Sequence, residues 1–172
     1  MVRSESGSVA PLRRTVATIG VYGTSLLRFL TALKSANVGL LIDVRQRRGV
    51  RGSDYAWANS LRLQAALAAS SIAYSHRIEL APTTELRQLQ YREDARLGEG
   101  KRSRSVLSPE YRRRYIAEIL EEVDLAGFVQ SLPTARASAL LCVERDARAC
   151  HRSIIAERLR DDFAVDVVDL RP

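Results

Sequence analysis

Apolar and polar positions along the chain switch repeatedly between a two-residue and a roughly four-residue period. Thr15-Val16-Ala17-Thr18-Ile19 is β-branched and apolar, which predicts a strand. Gly20 to Ser25 turns it into a helix carrying Leu26, Leu27, Phe29, Leu30 and Leu33. Val38 to Arg45 is apolar on both faces until its end, as a central parallel strand should be, and Asp43 and Arg45 break the rule. An irregular stretch with Gly49, Gly52, Tyr55 and Trp57 precedes a helix through Leu61, Leu63, Ala66 and Leu67. A third strand follows at Ile72-Ala73-Tyr74-Ser75 and ends at His76.

Thr83 or Thr84 can cap a polar helix through Leu86, Leu89 and Tyr91. The run Leu97 to Leu107, with Gly98, Gly100 and several basic residues, reads as a mobile loop that acts as a lid or a docking surface. Ser108-Pro109-Glu110 opens another helix, with serine at the cap and proline at the first helical position. Tyr111, Tyr115, Ile116, Ile119, Leu120 and Val123 give that helix one apolar face. A strand over Ala137 to Val143, a helix over Ala147 to Asp161 with Asp146 as its N-cap, and a strand over Ala164 to Leu170 complete the pattern, and no internal repeat interrupts it.

Strands that alternate with helices predict an α/β fold: one mostly parallel sheet with helices on both faces, a three-layer arrangement of Rossmann-like or flavodoxin-like type. Residues 15–172 read as a single domain, and polar Met1 to Arg14 as a flexible tail. In such sheets ligands bind outside the carboxyl ends of the strands. Those ends fall at Gly20 to Ser25, Asp43 to Arg51, His76 and Glu144 to Arg152, so the polar residues that interrupt four apolar segments converge on one edge.

Composition changes the picture in two ways. No apolar run approaches the ~20 residues of a membrane span, and the first residues lack the apolar centre of a signal peptide, which points to a cytoplasmic protein without a membrane partner. Two cysteines in a reducing compartment read as free thiols. The net charge is +7, and only Lys34 and Lys101 among the basic residues are lysines. Arginine in such excess follows from an arginine-favouring genome as readily as from a phosphate-reading surface, so clustering carries more information than total charge. Arg45, Arg47, Arg48 and Arg51 form one cluster, and Lys101, Arg102, Arg104, Arg112, Arg113 and Arg114 form another; both are candidate anion surfaces, for a small ligand or for nucleic acid.

The most concentrated chemistry lies in Cys142-Val143-Glu144-Arg145-Asp146 and Cys150-His151-Arg152. With Thr18-Ile19-Gly20, Asp43-Val44-Arg45 and Tyr74-Ser75-His76, these segments resemble the marks of the family known as domain of unknown function 488, and the likeness spans Thr15 to Leu170. Leu80-Ala81-Pro82 and Ala147 stand where many relatives have Leu-Gly-Gly and proline, as in a divergent branch of that family. The resemblance implies the same fold and the same site, and no reaction.

Several roles follow for these residues. His151 with Glu144 or Asp43 forms a candidate acid/base set, while Arg45 and Arg152, with Tyr74 and His76 beside them, are candidates for holding an anionic small molecule or nucleotide. Asp43 is equally suited to holding Arg45. Cys142 and Arg148 show the Cys-x5-Arg spacing of anion-binding thiolate loops, but Glu144 inside the loop would repel an anion, which makes Cys142 a core residue. His76, Cys150 and His151 are candidate ligands for a transition metal or haem, although the spacing is no standard zinc motif. Tyr22, Tyr55, Trp57 and Tyr74 can stack on a flat ligand. The leading reading is a small enzyme on an anionic molecule; the alternatives are a nucleic-acid-binding accessory protein and a haem or metal protein. Oligomeric state is open.

Overall fold

The computed structural model describes residues 13–172. Five strands form one parallel sheet: β1 (Thr15–Ile19), β2 (Val38–Asp43), β3 (Ala73–His76), β4 (Ala137–Leu141) and β5 (Asp166–Asp169), in the order β3-β2-β4-β1-β5. β4 thus separates β1 from β2. Its register sets Leu141 opposite both Ile19 of β1 and Asp43 of β2, and Asp43 lies opposite His76 of β3. The four carboxyl ends foreseen from the apolar runs therefore reach one edge of the sheet.

Six α-helices cover the two faces: α1 (Leu26–Ser35), α2 (Ser60–Ala68), α3 (Thr84–Arg96), α4 (Pro109–Tyr115), α5 (Leu125–Ser131) and α6 (His151–Phe163). On one face Ala17, Ile19, Leu41, Ala139 and Leu141 pack against Phe29 and Leu33 of α1 and Leu63 and Leu67 of α2. On the other, Val16, Ile42 and Leu140 pack against Leu86, Tyr115, Phe128, Ile155 and Leu159 from α3 to α6. Alternation along each strand assigns neighbouring residues to opposite cores, and each buried Leu, Ile or Phe contributes about 1.5–3 kcal/mol relative to exposure. The expected three-layer α/β arrangement is present.

The helix starts follow their caps. Ser25, Thr83 and Ser108 accept hydrogen bonds from the backbone N–H of Arg28, Leu86 and Tyr111, and Pro109 occupies the first position of α4. Three boundaries differ from expectation. The apolar face that begins at Tyr111 is not one continuous helix: α4 gives way at Ile116 to a π-helical turn over Ile116–Leu120. α5 has no counterpart among the predicted elements. Asp146 caps only a short 3₁₀ turn, Ala147–Ala149, through the N–H of Arg148; the last helix begins four residues later than predicted, at His151, with Cys150 extended at its N-cap position.

Of the N-terminal segment read as a flexible tail, Met1 to Leu12 lies outside the described residues. Arg13 and Arg14 are described, and the carbonyl of Arg14 accepts from the N–H of Asp166 in β5. No helix among the described residues is long and apolar enough to cross a membrane.

Candidate functional site

A cavity of about 470 Å³ opens at the carboxyl edge of the sheet. Three pieces of chain supply most of its wall, Arg45 to Arg51 after β2, Lys101 to Leu107 after α3, and Cys142 to His151 from the end of β4 to the start of α6, and Tyr22 with Arg87, Gln90 and Tyr91 of α3 adds to it. Seven cationic side chains line it, Arg45, Arg47, Arg51, Arg87, Lys101, Arg102 and Arg104, against one carboxylate, Glu144.

The cations differ in what holds them. Arg45 is 3% exposed and grips Asp43 through two bonds, Nε to Oδ1 at 2.8 Å and an NH2 contact to Oδ2 at 2.7 Å. Its charge is held above the ordinary guanidinium value: burial opposes it, and the Asp43 carboxylate more than offsets burial. Arg104 is also buried, pairs with Asp94 at 2.7 Å and Glu144 at 3.1 Å, and donates through Nε to the carbonyl of Ala149. Arg102 lies over the rings of Tyr22 and Tyr55. Lys101, Arg47 and Arg51 make no ion pair among the described residues. Burial opposes the charge of Lys101, yet the nearby Glu144 and Cys142 raise its affinity for the proton above the usual lysine value.

At the floor lie Cys142, Cys150, His151 and Glu144. Both thiols are free and buried. His151 Nε2 lies 2.9 Å from the carbonyl oxygen of Val44. A carbonyl only accepts, so Nε2 carries the proton and in the neutral ring Nδ1 presents its lone pair. That lone pair faces Cys150 Sγ at 3.6 Å, while the Cys142 thiol donates to Glu144 Oε2 at 3.0 Å. One ligand atom from each of Cys142, Cys150 and His151 lies within 4.8 Å of the others. Tyr115 packs its ring 5.5 Å from that of His151 and donates its hydroxyl to the carbonyl of Leu80, fixing the wall behind the imidazole.

The enclosed setting shifts Cys142, Glu144 and His151. Cys142 is pushed up to about 11 by its contact with the Cys150 thiol and by burial. Burial and the Cys142 sulfur move Glu144 above the usual carboxylate range, against the pull of Lys101 and Arg104. For His151 burial disfavours the imidazolium, but Cys142, Glu144 and the Val44 carbonyl together favour it more, and its affinity for the proton rises.

Of the residues singled out in the sequence, Arg45, Glu144, Cys150 and His151 meet at the cavity wall. Asp43, Tyr74, His76 and Arg152 do not line it. Asp43 is fully buried behind Arg45 and also accepts from the Tyr74 hydroxyl at 2.7 Å. His76 Nε2 meets the Arg45 carbonyl at 2.9 Å, which makes it a brace for that strand end rather than part of the thiol cluster. Arg152, expected to grip a ligand, is fully buried and donates to the carbonyls of Glu144 and Arg145, so it shapes the loop that carries Glu144. In the second basic cluster, Arg112, Arg113 and Arg114 pair with Glu157, Glu110 and Glu118.

Sequence reasoning missed Cys142 as a partner of the cluster and missed Gln90 and Asp94 altogether. Gln90 donates to Asp94 at 2.7 Å, and Asp94 holds Arg104. A signal was present: Leu86, Gln90 and Asp94 recur every four residues, so the two polar residues extend the buried stripe of α3.

A family model described as domain of unknown function DUF488 matches residues 25–159, a span that includes all four cluster residues at the cavity floor. No curated protein and no solved structure matches the chain.

Proposed function

Because the chain belongs to the domain of unknown function DUF488 family, whose name states no activity, its chemistry must be argued from the site, and we propose that it is a small enzyme acting on an anionic small molecule or nucleotide. The observation that carries this reading is the imbalance of the cavity wall: once Arg45 is set against Asp43 and Arg104 against Asp94 and Glu144, five lining cations remain without an ion pair among the described residues, in a space of about 470 Å³ that lies within the range of roughly 300–1,000 Å³ usual for small-ligand sites. Lys101, Arg47 and Arg51 bind the ligand's negative charge, since none of them makes an ion pair among the described residues. Tyr22 and Arg102 offer a face for a flat group.

Glu144 is the proton-transfer group in this scheme, since Asp43 is saturated by Arg45 and Tyr74 behind the wall. His151 lines the same floor, tied to Val44 on one nitrogen and facing the thiols with the other. The ion pairs along α4 favour a small ligand over nucleic acid, because those guanidiniums already have carboxylate partners.

Calorimetric titration with inorganic pyrophosphate and adenosine diphosphate tests the reading. Saturable one-site binding is expected, weakened about tenfold or more by Lys101→Ala or Arg51→Ala, each of which removes a charge-assisted contact. Glu144→Gln should retain binding and abolish conversion of a bound substrate, followed by nuclear magnetic resonance. Absence of saturable binding to either probe, or binding indifferent to both cationic substitutions, would refute the proposal. Steeply salt-dependent binding of a polynucleotide in its place would favour the nucleic-acid alternative.

A further inference from the structure

Two thiols and an imidazole converge at the cavity floor, and proton transfer by Glu144 explains none of the three. We propose that Cys142, Cys150 and His151 form a binding site for a thiophilic divalent cation, zinc above all, reached from the cavity.

Geometry is the first support. Zinc bonds of about 2.3 Å to sulfur and about 2.0–2.1 Å to nitrogen place adjacent sulfur and nitrogen ligands of a tetrahedron ~3.6 Å apart, and two sulfurs ~3.8 Å apart. Cys150 Sγ and His151 Nδ1 are 3.6 Å apart, and all three ligand atoms lie within 4.8 Å of one another. They form the one such His/Cys/Asp/Glu grouping among the described residues. Cys142 thus takes the place that the sequence suggested for His76, whose Nε2 is engaged by Arg45.

Orientation is the second. A metal-ligating histidine typically donates its other ring N–H to a backbone carbonyl or carboxylate, which fixes the tautomer that coordinates. His151 has that arrangement before any ion arrives: Nε2 faces Val44 O at 2.9 Å and Nδ1 faces the thiols. Tyr115 packs against the ring from the side.

Charge balance is the third. The two thiol protons are directed at Glu144 Oε2 and His151 Nδ1. Binding exchanges them for one divalent cation: two S–H bonds break, two sulfur–metal bonds form, and two protons leave through the cavity to solvent. No electron moves, and the floor keeps its net charge. Three protein ligands leave a fourth position, and since all three residues and Glu144 line the cavity, that position is open to Glu144 or to an oxygen of a bound anion.

The inference goes beyond the anion-binding reading and stands without it. Its test is titration of the reduced, metal-stripped full chain with cobalt(II) in the absence of air. One equivalent should produce the thiolate-to-cobalt charge-transfer band and the strong visible bands of a tetrahedral site, and one equivalent of zinc(II) should displace it. Cys142→Ser and Cys150→Ser should each remove the charge-transfer intensity wholly or by half, and His151→Ala should weaken binding at least tenfold. As a check that needs no variant, zinc(II) should protect both thiols of the wild-type protein from alkylation by iodoacetamide, and a chelator should restore their reactivity. Absence of the charge-transfer band, its full persistence in both cysteine variants, or thiols alkylated equally with and without zinc would overturn the proposal. Lys101→Ala separates the two readings: it should leave the cobalt spectrum intact while pyrophosphate binding falls. A failed cobalt titration beside intact pyrophosphate binding sinks the metal site alone, and the reverse sinks the anion site alone.

Discussion

Gly20, the residue after β1, lies so close to the backbone of Glu144 that a β-carbon there would collide with the Glu144 carbonyl oxygen. The constraint is space, and it links the turn after β1 to the carboxylate at the cavity floor. Gly20→Ala should destabilise the protein by about 1–3 kcal/mol, because backbone rather than a flexible side chain must give way. Urea denaturation reads that loss. Arg152 shows the limit of reading single residues from sequence. A guanidinium that binds phosphate and one that binds two carbonyls have the same neighbours in sequence, and only the direction of the helix start decides between them. Asp43 posed the same ambiguity, and its partners Arg45 and Tyr74 make it the support for a cation of the wall.

At the scale of elements, β1, β2 and β4 were legible because a parallel strand buried on both faces needs an apolar run, and few other structures do. α5 was not legible: its seven residues include Gly127 and span barely two turns, too short for a period to emerge. The start of α6 was misplaced because Asp146 is a sound cap, but of a 3₁₀ turn. The run from Leu97 to Leu107, read from its glycines and charges as a lid or docking loop, contributes part of the cavity wall and is held by two buried side chains, Arg104 and Leu107. The anchor of Arg104 on α3 is Asp94, with both side chains almost fully buried. Removing Asp94 leaves the buried Arg104 with Glu144 as its one carboxylate partner among the described residues, so the loss should fall below the roughly 3–5 kcal/mol of a buried charge left wholly unpaired. Asp94→Ala should therefore lower the denaturation midpoint and open the bonds after Lys101, Arg102 and Arg104 to limited trypsin digestion, whereas the wild-type segment resists.

For the whole molecule, the core behind the site sets an upper limit on alkaline stability. Tyr111 and Tyr115 are buried, and burial holds both hydroxyls well above the ordinary tyrosine value. The unfolded chain, with tyrosines near about 10, ionises first and so binds fewer protons than the folded one. These two groups leave stability unchanged below that pH and lower it increasingly above. Urea midpoints measured from about pH 8 to about pH 11 should fall at the alkaline end, and Tyr115→Phe should reduce the fall.

The strand order also governs when this protein can fold during its own synthesis. When residue 76 has left the ribosome, three strands exist, yet β1 touches neither of the other two: its partners are β4 and β5. Only β2 and β3 can pair, and a two-stranded parallel ribbon is poorly stable alone. The apolar faces of β1, α1 and α2 must wait in solution or with a chaperone until Ala137 to Leu141 emerges and inserts between strands made some hundred residues earlier. The segment that closes the sheet leads directly into Cys142 and Glu144, so the chain acquires its fold and its chemistry in the same late step.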